Sequence, residues 1–318
     1  MLEIFKCLIL LAVGLTFLIV SSDVFVEAAS SLAIRLRVPK MLIALTIASF
    51  GTCAPELAIS FHSISSGNAE MTLANVIGSC IVNILLIVGV AAIVKPIKVK
   101  ETTIKKELPI LLFVTSAFVL LLSDSIFLGK KGGLNRMDAL MLLLWFSFFM
   151  YYIIQLVKNG KKERRSKAKY SLKKSIIYLV ISMIVVIFAS DLVVDNAVLL
   201  AESVGISQKI IAMTVIVIGT SLPELTMTVS SARKGEFDMA VGNIIGTNIF
   251  NIGVVLGLPT LIYGGYTSDA FNLVDTVVVL IAALMFYIFG RSNKELSRRE
   301  GIFMVITFLI YYIYLFVH

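Results

Sequence analysis

Two carboxylates stand in matched surroundings. Gly51-Thr52-Cys53-Ala54-Pro55-Glu56-Leu57 recurs as Gly219-Thr220-Ser221-Leu222-Pro223-Glu224-Leu225, each copy inside an otherwise apolar run. A charged side chain at the centre of a membrane helix costs roughly 2.5–3.5 kcal/mol even on insertion scales, so such a residue is functional by default. Two of them, one in each half of the chain, predict a single shared site near the bilayer midplane, the layout of a secondary transporter.

The residues around them fit a cation. Pro55 offers no N–H to the Gly51 carbonyl and Pro223 none to Gly219, so each helix is expected to break locally. Carbonyls freed at membrane depth must face protein groups or a cavity. Thr52, Cys53 and Glu56 share one helix face, as do Thr220, Ser221 and Glu224. On the following segments Asn75, Ser79 and Asn83 fall at i, i+4 and i+8, and Asn243, Thr247 and Asn251 repeat that stripe. Gly78 and Gly246 beside the stripes predict close helix approach. Carboxylates, hydroxyls, amides and carbonyls together supply the ligands of a hard cation such as Ca²⁺. Histidine occurs only at 62 and 318, which disfavours imidazole sites for zinc or copper. A membrane Ser or Thr also back-bonds to its own helix. Thr52, Ser79 and Thr247 therefore stand open between ligand and packing roles; the glutamates do not. Asp23 and Asp191 repeat as well, but near expected helix ends and followed by Glu27 and Asp195, and read as interfacial or packing residues. Cys53, in the place of Ser221, is expected to contribute through its backbone carbonyl.

The elements that must hold these residues are membrane helices. Of 318 residues 58% are hydrophobic and 15% charged, with a mean hydropathy of +0.98, too little charge for the surface of a soluble domain. Ten runs near membrane-spanning length are expected, at 5–26, 41–64, 71–94, 108–128, 139–157, 176–199, 210–229, 239–263, 271–289 and 302–317. The first could pass for a secretory signal, but its counterpart deep in the chain marks it as a helix. Cys7, Cys53 and Cys80 lie in apolar segments and predict no disulfide.

A constant offset of 168 carries Asp23 to Asp191, Thr46 to Thr214, Glu56 to Glu224, Asn75 to Asn243, Gly78 to Gly246, Asn83 to Asn251 and Gly89 to Gly257. Beyond that, 108–157 and 271–317 match only in hydropathy. Five helices per half, an odd number, invert the second half relative to the first. The fold class is thus an all-α integral membrane protein of ten transmembrane helices in two inverted five-helix repeats, 1–157 and 175–318, joined by a basic loop over 158–174. That loop holds nine basic residues against Glu163, a net +8 equal to the formal charge of the whole chain. By the positive-inside rule it is cytoplasmic, with both termini extracytoplasmic, and the chain a multi-pass protein of the cell membrane. The loop reads as a solvated topology signal, and no nucleic acid is expected as a partner.

The paired GT-x-x-PEL segments, each followed by GN-x-x-G-(S/T), resemble the two alpha-repeats of the cation/Ca²⁺ exchanger superfamily, in its Na⁺/Ca²⁺ exchanger branch. The resemblance implies an antiporter exchanging Ca²⁺ for Na⁺ by alternating access, the two ions being substrates rather than cofactors and the lipid bilayer the surroundings. It implies Ca²⁺ between Glu56 and Glu224 with nearby backbone carbonyls. It further implies Na⁺ at Thr52, Ser79, Thr220, Ser221 and Thr247 with the same glutamates, Asn83 and Asn251 completing the polar centre, and long first and sixth helices sliding as a gate. Asn251 departs from relatives with an aspartate there, including potassium-dependent ones, which weakens the case for K⁺ co-transport; Cys53 departs from serine. The proton-coupled branch typically carries GN-x-x-E, so the motif sides with Na⁺. A Ca²⁺/H⁺ antiporter is the main alternative. A channel needs no such pair of kinked acidic sites, and a metalloenzyme lacks its histidine cluster or nucleophile-base pair, so the chain is not read as an enzyme. Oligomeric state is left open.

The topology predicts that Ser166→Cys, on a cysteine-free background, is labelled by an impermeant maleimide from the cytoplasmic side; labelling only from outside would overturn the inversion.

Overall fold

The computed structural model describes residues 2–67, 69–123, 132–159, 168–203, 205, 217–268 and 273–317. Residues 160–167 of the basic stretch, and the start of the expected seventh span, lie outside them. Helix α1 runs Leu2–Leu36, about 52 Å at 1.5 Å per residue. It continues well past the expected end at 26 because its polar residues find partners on other elements: Glu27 accepts from Lys169, Tyr170 and Lys234, and Arg35 donates to the Tyr170 carbonyl at 3.0 Å. Asp23, expected near a helix end, therefore sits in the helix interior.

After Pro39 follow α2 (Lys40–Thr52) and α3 (Ala54–Ser65), a pair bent by 45° at Cys53. Next are α4 (Met71–Val94), α5 (Glu107–Leu122), α6 (Arg136–Asn159) and α7 (Leu172–Ser203). The short α8 (Val217–Thr220) and α9 (Leu222–Lys234) form a second interrupted helix. Then come α10 (Phe237–Tyr263), α11 (Leu273–Arg291) and α12 (Arg298–Val317). Among the described residues six helices are long and apolar enough to cross a membrane, or seven if α2 and α3 count as one span. The other three expected positions are held by α5, by α8 with α9, and by α12.

Burial separates inner from outer helices. The apolar windows of α4 and α10 are 78% and 83% buried, that of α1 only 17%. Phe5, Phe17 and Val20 of α1 and Ile181, Ile184 and Phe188 of α7 are exposed, the surface a hydrocarbon solvent would cover. α1 packs along α7. The end of α1 meets the chain just ahead of α7 through Arg35 and Tyr170, while Gly14, near its start, faces Ala189 and Val193. The two long helices are therefore antiparallel.

Two small ribbons tie the halves together. β1 (Ile97–Lys98) pairs antiparallel with β4 (Glu295–Leu296), and β2 (Gly132–Leu134) with β3 (Tyr266–Ser268). β1 follows α4 and β3 follows α10; β2 precedes α6 and β4 precedes α12. Each ribbon thus joins the strand after the third span of one half to the strand before the fifth of the other. Beside the first, Glu101 pairs with Lys105 at 2.6 Å and Lys294 at 3.2 Å; the Lys105 and Lys294 ammoniums hold its carboxyl below the usual carboxylate range.

The outer helices also preserve the repeat. Buried Glu107 accepts from the Tyr152 hydroxyl, and Asp275 Oδ1 accepts from the Tyr311 hydroxyl at 3.0 Å. Positions 107 and 275 lie 168 apart, so the offset carries one carboxylate onto the other, whereas their tyrosine partners, 159 apart, do not follow it. Each tyrosine ties the fourth expected span of its half to the fifth. Removing one partner of a buried charged hydrogen bond costs about 1–3 kcal/mol. Tyr152→Phe and Tyr311→Phe are each expected to lower the thermal unfolding midpoint of the purified protein in detergent, an unchanged midpoint arguing against the tie.

Candidate cation-binding site

Proline sets the site. Pro55 and Pro223 stand in the first turns of α3 and α9, and the residues ahead leave helical geometry: Cys53 has φ −80°, ψ 1° and Ser221 has φ −91°, ψ 6°. Glu56 and Glu224 follow directly in those first turns, where the free N–H groups favour negative charge. The two glutamates are buried and near enough to each other, and to Cys53, to interact electrostatically.

The second layer is α4 and α10. α3 packs on α4, α9 on α10, and α4 on the widened turn at Asn251–Leu256 of α10. α4 has a corresponding π-type turn over Val82–Val88, so Asn83 and Asn251 occupy equivalent irregular turns, a feature frequent at functional sites. Across the halves, Ser49 Oγ lies 2.8 Å from the Ala44 carbonyl and 3.1 Å from that of Asn243, and Cys53 Sγ lies 3.9 Å from the Thr247 carbonyl.

Of the nine residues expected to hold ions, Thr52, Glu56, Ser79, Asn83, Ser221, Glu224, Thr247 and Asn251 are buried, and Thr220 is half-buried. Thr52 and Thr220 donate to their own helices, at Ser49 and Val217. The other seven carry buried polar atoms with no protein partner: Glu56 Oε2, both Glu224 oxygens, Ser79 Oγ, Ser221 Oγ, Thr247 Oγ1, and both amide atoms of Asn83 and Asn251. Buried polar groups are ordinarily satisfied, and carboxylates accept without donating. Among the described residues no lysine or arginine pairs with either glutamate, and no group of three His, Cys, Asp or Glu gathers as a metal cluster. The site is a pair of carboxylates in a shell of neutral oxygens, which suits hard cations.

The halves also differ. Ser190 Oγ donates to the Gly219 carbonyl at 3.0 Å, so the oxygen freed by Pro223 is taken by protein. The equivalent Ser22 donates instead to Thr226 Oγ1 at 2.7 Å. Asn248, buried with Oδ1 unpartnered, has Cys80 at the equivalent place, and a search for repeated polar residues passes over it. Ser49 is hidden in the same way, since Val217 stands at its equivalent place, whereas Ser190 repeats Ser22 but is one of many serines in apolar helices. Thr228, one turn beyond Glu224, meets Asn243 Nδ2 at 3.3 Å and belongs to the same polar column.

Residues 6–155 and 174–317 match the family model described as sodium/calcium exchanger protein. The chain is 35% identical to the inner membrane protein YrbG of Escherichia coli K12 over 95% of itself and 94% of that protein. It is 30% identical to the sodium/calcium exchanger MaX1 of Methanosarcina acetivorans over 97% and 98%. Its structure superposes on that of the sodium-calcium exchanger NCX_Mj, soaked without Na⁺ and Ca²⁺, with a TM-score of 0.83 at 30% identity, covering 98% and 99% of the two chains.

The contact between α2 and α10 leaves no room at Gly246: a Cβ there would lie 2.9 Å from the Leu45 carbonyl oxygen. Because that neighbour is backbone, Gly246→Ala must push the helices apart, at an overpacking cost of about 1–3 kcal/mol. Calorimetry on the purified variant is expected to show weakened Ca²⁺ binding, and wild-type affinity would contradict the close approach.

Proposed function

The chain belongs to the sodium/calcium exchanger protein family, and from that premise we propose that it exchanges Ca²⁺ for Na⁺ across the cell membrane by alternating access at the Glu56–Glu224 site. The observation that carries the reading is the set of unpartnered buried oxygens on four helices around two facing carboxylates. Ca²⁺ neutralises both glutamates. Na⁺, competing for the same oxygens, is held with the hydroxyls of Thr52, Ser79, Thr220, Ser221 and Thr247, with the amides of Asn83 and Asn251 closing the polar centre. Competition for one site is what antiport requires, and each ion must also bias the inward- and outward-facing states differently.

The same reading takes the architecture as ten spans in two inverted five-helix repeats, 1–157 and 175–318, with the loop between them cytoplasmic and both termini outside. It is supported by the antiparallel packing of α1 and α7, the reciprocal ribbons, and the carboxylates at 107 and 275, each bonded to a tyrosine of the following span. Hydroxyls coordinate a small monovalent cation but carry no titrating proton, which favours Na⁺ as the coupling ion.

Proteoliposomes loaded with Na⁺ and diluted into Na⁺-free medium are expected to accumulate ⁴⁵Ca²⁺ without K⁺, with Glu56→Gln and Glu224→Gln each abolishing uptake. Equal uptake driven by a proton gradient without Na⁺ would move the protein to Ca²⁺/H⁺ antiport, and near-normal flux in either variant would refute the shared site.

A further inference from the structure

Away from the cation site, one end of the molecule carries a cluster of ion pairs. Lys40 Nζ reaches Glu236 at 2.7 Å, Lys234 reaches Glu27 at 2.7 Å and Asp23 at 3.9 Å, and Lys169 reaches Glu27 at 2.6 Å. Ser30 adds a bond to Glu236 at 3.0 Å, and Ser230 donates to Asp23. Glu27 and Ser30 thus bind α1 to the chain entering α7, the end of α9 and the start of α10, and Lys40 binds the start of α2 to the same junction, around a cleft of ≈ 390 Å³. They are intermediate in exposure, Lys40 and Glu236 at 18% and 23%, Lys234 and Glu27 at 25% and 27%. Such pairs are less screened than fully exposed ones.

The repeat makes this cluster informative. Shifted by 168, the pair Lys234–Glu27 becomes Ser66 and Asp195, Ser230–Asp23 becomes His62 and Asp191, and Lys40–Glu236 becomes Gln208 and Asn68. The acids on the long helix are kept at the opposite mouth, but both lysines are gone. Among the described residues no ion pair engages Asp191 or Asp195. Packing follows the charges: α1 lies extensively against α9, whereas the equivalent contact of α7 with α3 is not among the principal helix contacts. One mouth is closed by opposite charges, whereas at the other Asp191 and Asp195 form no ion pair among the described residues, Lys209 lying outside them.

We propose that the Lys40–Glu236 and Lys234–Glu27 pairs are a one-sided electrostatic latch that sets the balance between the two access states, favouring closure at the mouth beside the basic loop and opening at the mouth of Asp191 and Asp195. The inference rests on the alternating-access reading above. Inverted halves that were fully equivalent would give the two states similar energies; charge retained in one half and lost from the other breaks that degeneracy. Opening the latched mouth requires the ammoniums and carboxylates to separate into the hydrated cleft, so the bias weakens as salt rises. A ligand of equal affinity for both states cannot replace it.

The test is hydrogen exchange on the full-length protein in nanodiscs, without Na⁺ or Ca²⁺, comparing amides 228–236 at the latched mouth with 59–66 at the other. The double variant Lys40→Gln/Lys234→Gln is expected to exchange several-fold faster at 228–236 and slower at 59–66. The charge swap Lys40→Glu/Glu236→Lys should restore both toward wild type. Faster exchange at 228–236 with 59–66 unchanged would mean local fraying, and no change at either mouth would mean idle surface pairs; either result overturns the latch. Since no transported ion is present, a failed Na⁺ dependence of flux leaves this result standing, and a failed latch leaves the flux result standing.

Discussion

Everything in this structure follows from placing two carboxylates against each other out of water. Glu56 and Glu224 are buried, face one another and have no basic partner among the described residues. Like charges in a low-dielectric interior repel far more strongly than in water, so the apolar scaffold is stable with both ionised only when a cation lies between them. The proline breaks, the widened turns at Asn83 and Asn251, and the glycine contact between α2 and α10 all serve to bring neutral oxygens to that point without adding another charge. Among the described residues the centre holds negative charge without a positive partner.

Much of this was legible in the sequence because gene-level repetition turns a weak signal into a strong one. A single Thr-x-x-x-Glu face in an apolar run is ambiguous; two, aligned without a gap and each beside proline, are not. The stripes Asn75–Ser79–Asn83 and Asn243–Thr247–Asn251 were readable for the same reason, and both converge on the buried centre. Where the halves diverge, repetition carries no signal. Asn248 faces Cys80 across the repeat, and Ser190 caps the Gly219 carbonyl while Ser22 turns to Thr226. The length of α1 was misjudged because Glu27 and Arg35 read as the end of a span; their partners on Lys234 and Tyr170 are far away in the chain. The Glu107 and Asp275 equivalence was hidden by a change of residue type in otherwise unaligned surroundings.

The two kinds of divergence differ in meaning. Around Glu56 and Glu224 the halves stay nearly equivalent, with Thr52, Asn75, Ser79 and Asn83 matched by Thr220, Asn243, Thr247 and Asn251. At the mouths they separate in charge, with lysine retained at 40 and 234 and glutamine and serine at the related positions. The residue types are kept around the buried carboxylates and diverge at the two ends.

The two ribbons have a further consequence, for assembly in time. β1 at Ile97–Lys98 finds its partner at Glu295–Leu296, about 200 residues later in synthesis. Until then its backbone groups form an unpaired edge, and contacts this distant in sequence close late. The first half can enter the bilayer helix by helix, but it cannot complete its own framework. The frame around β1 is thus completed only once the segment ahead of the last helix has been made.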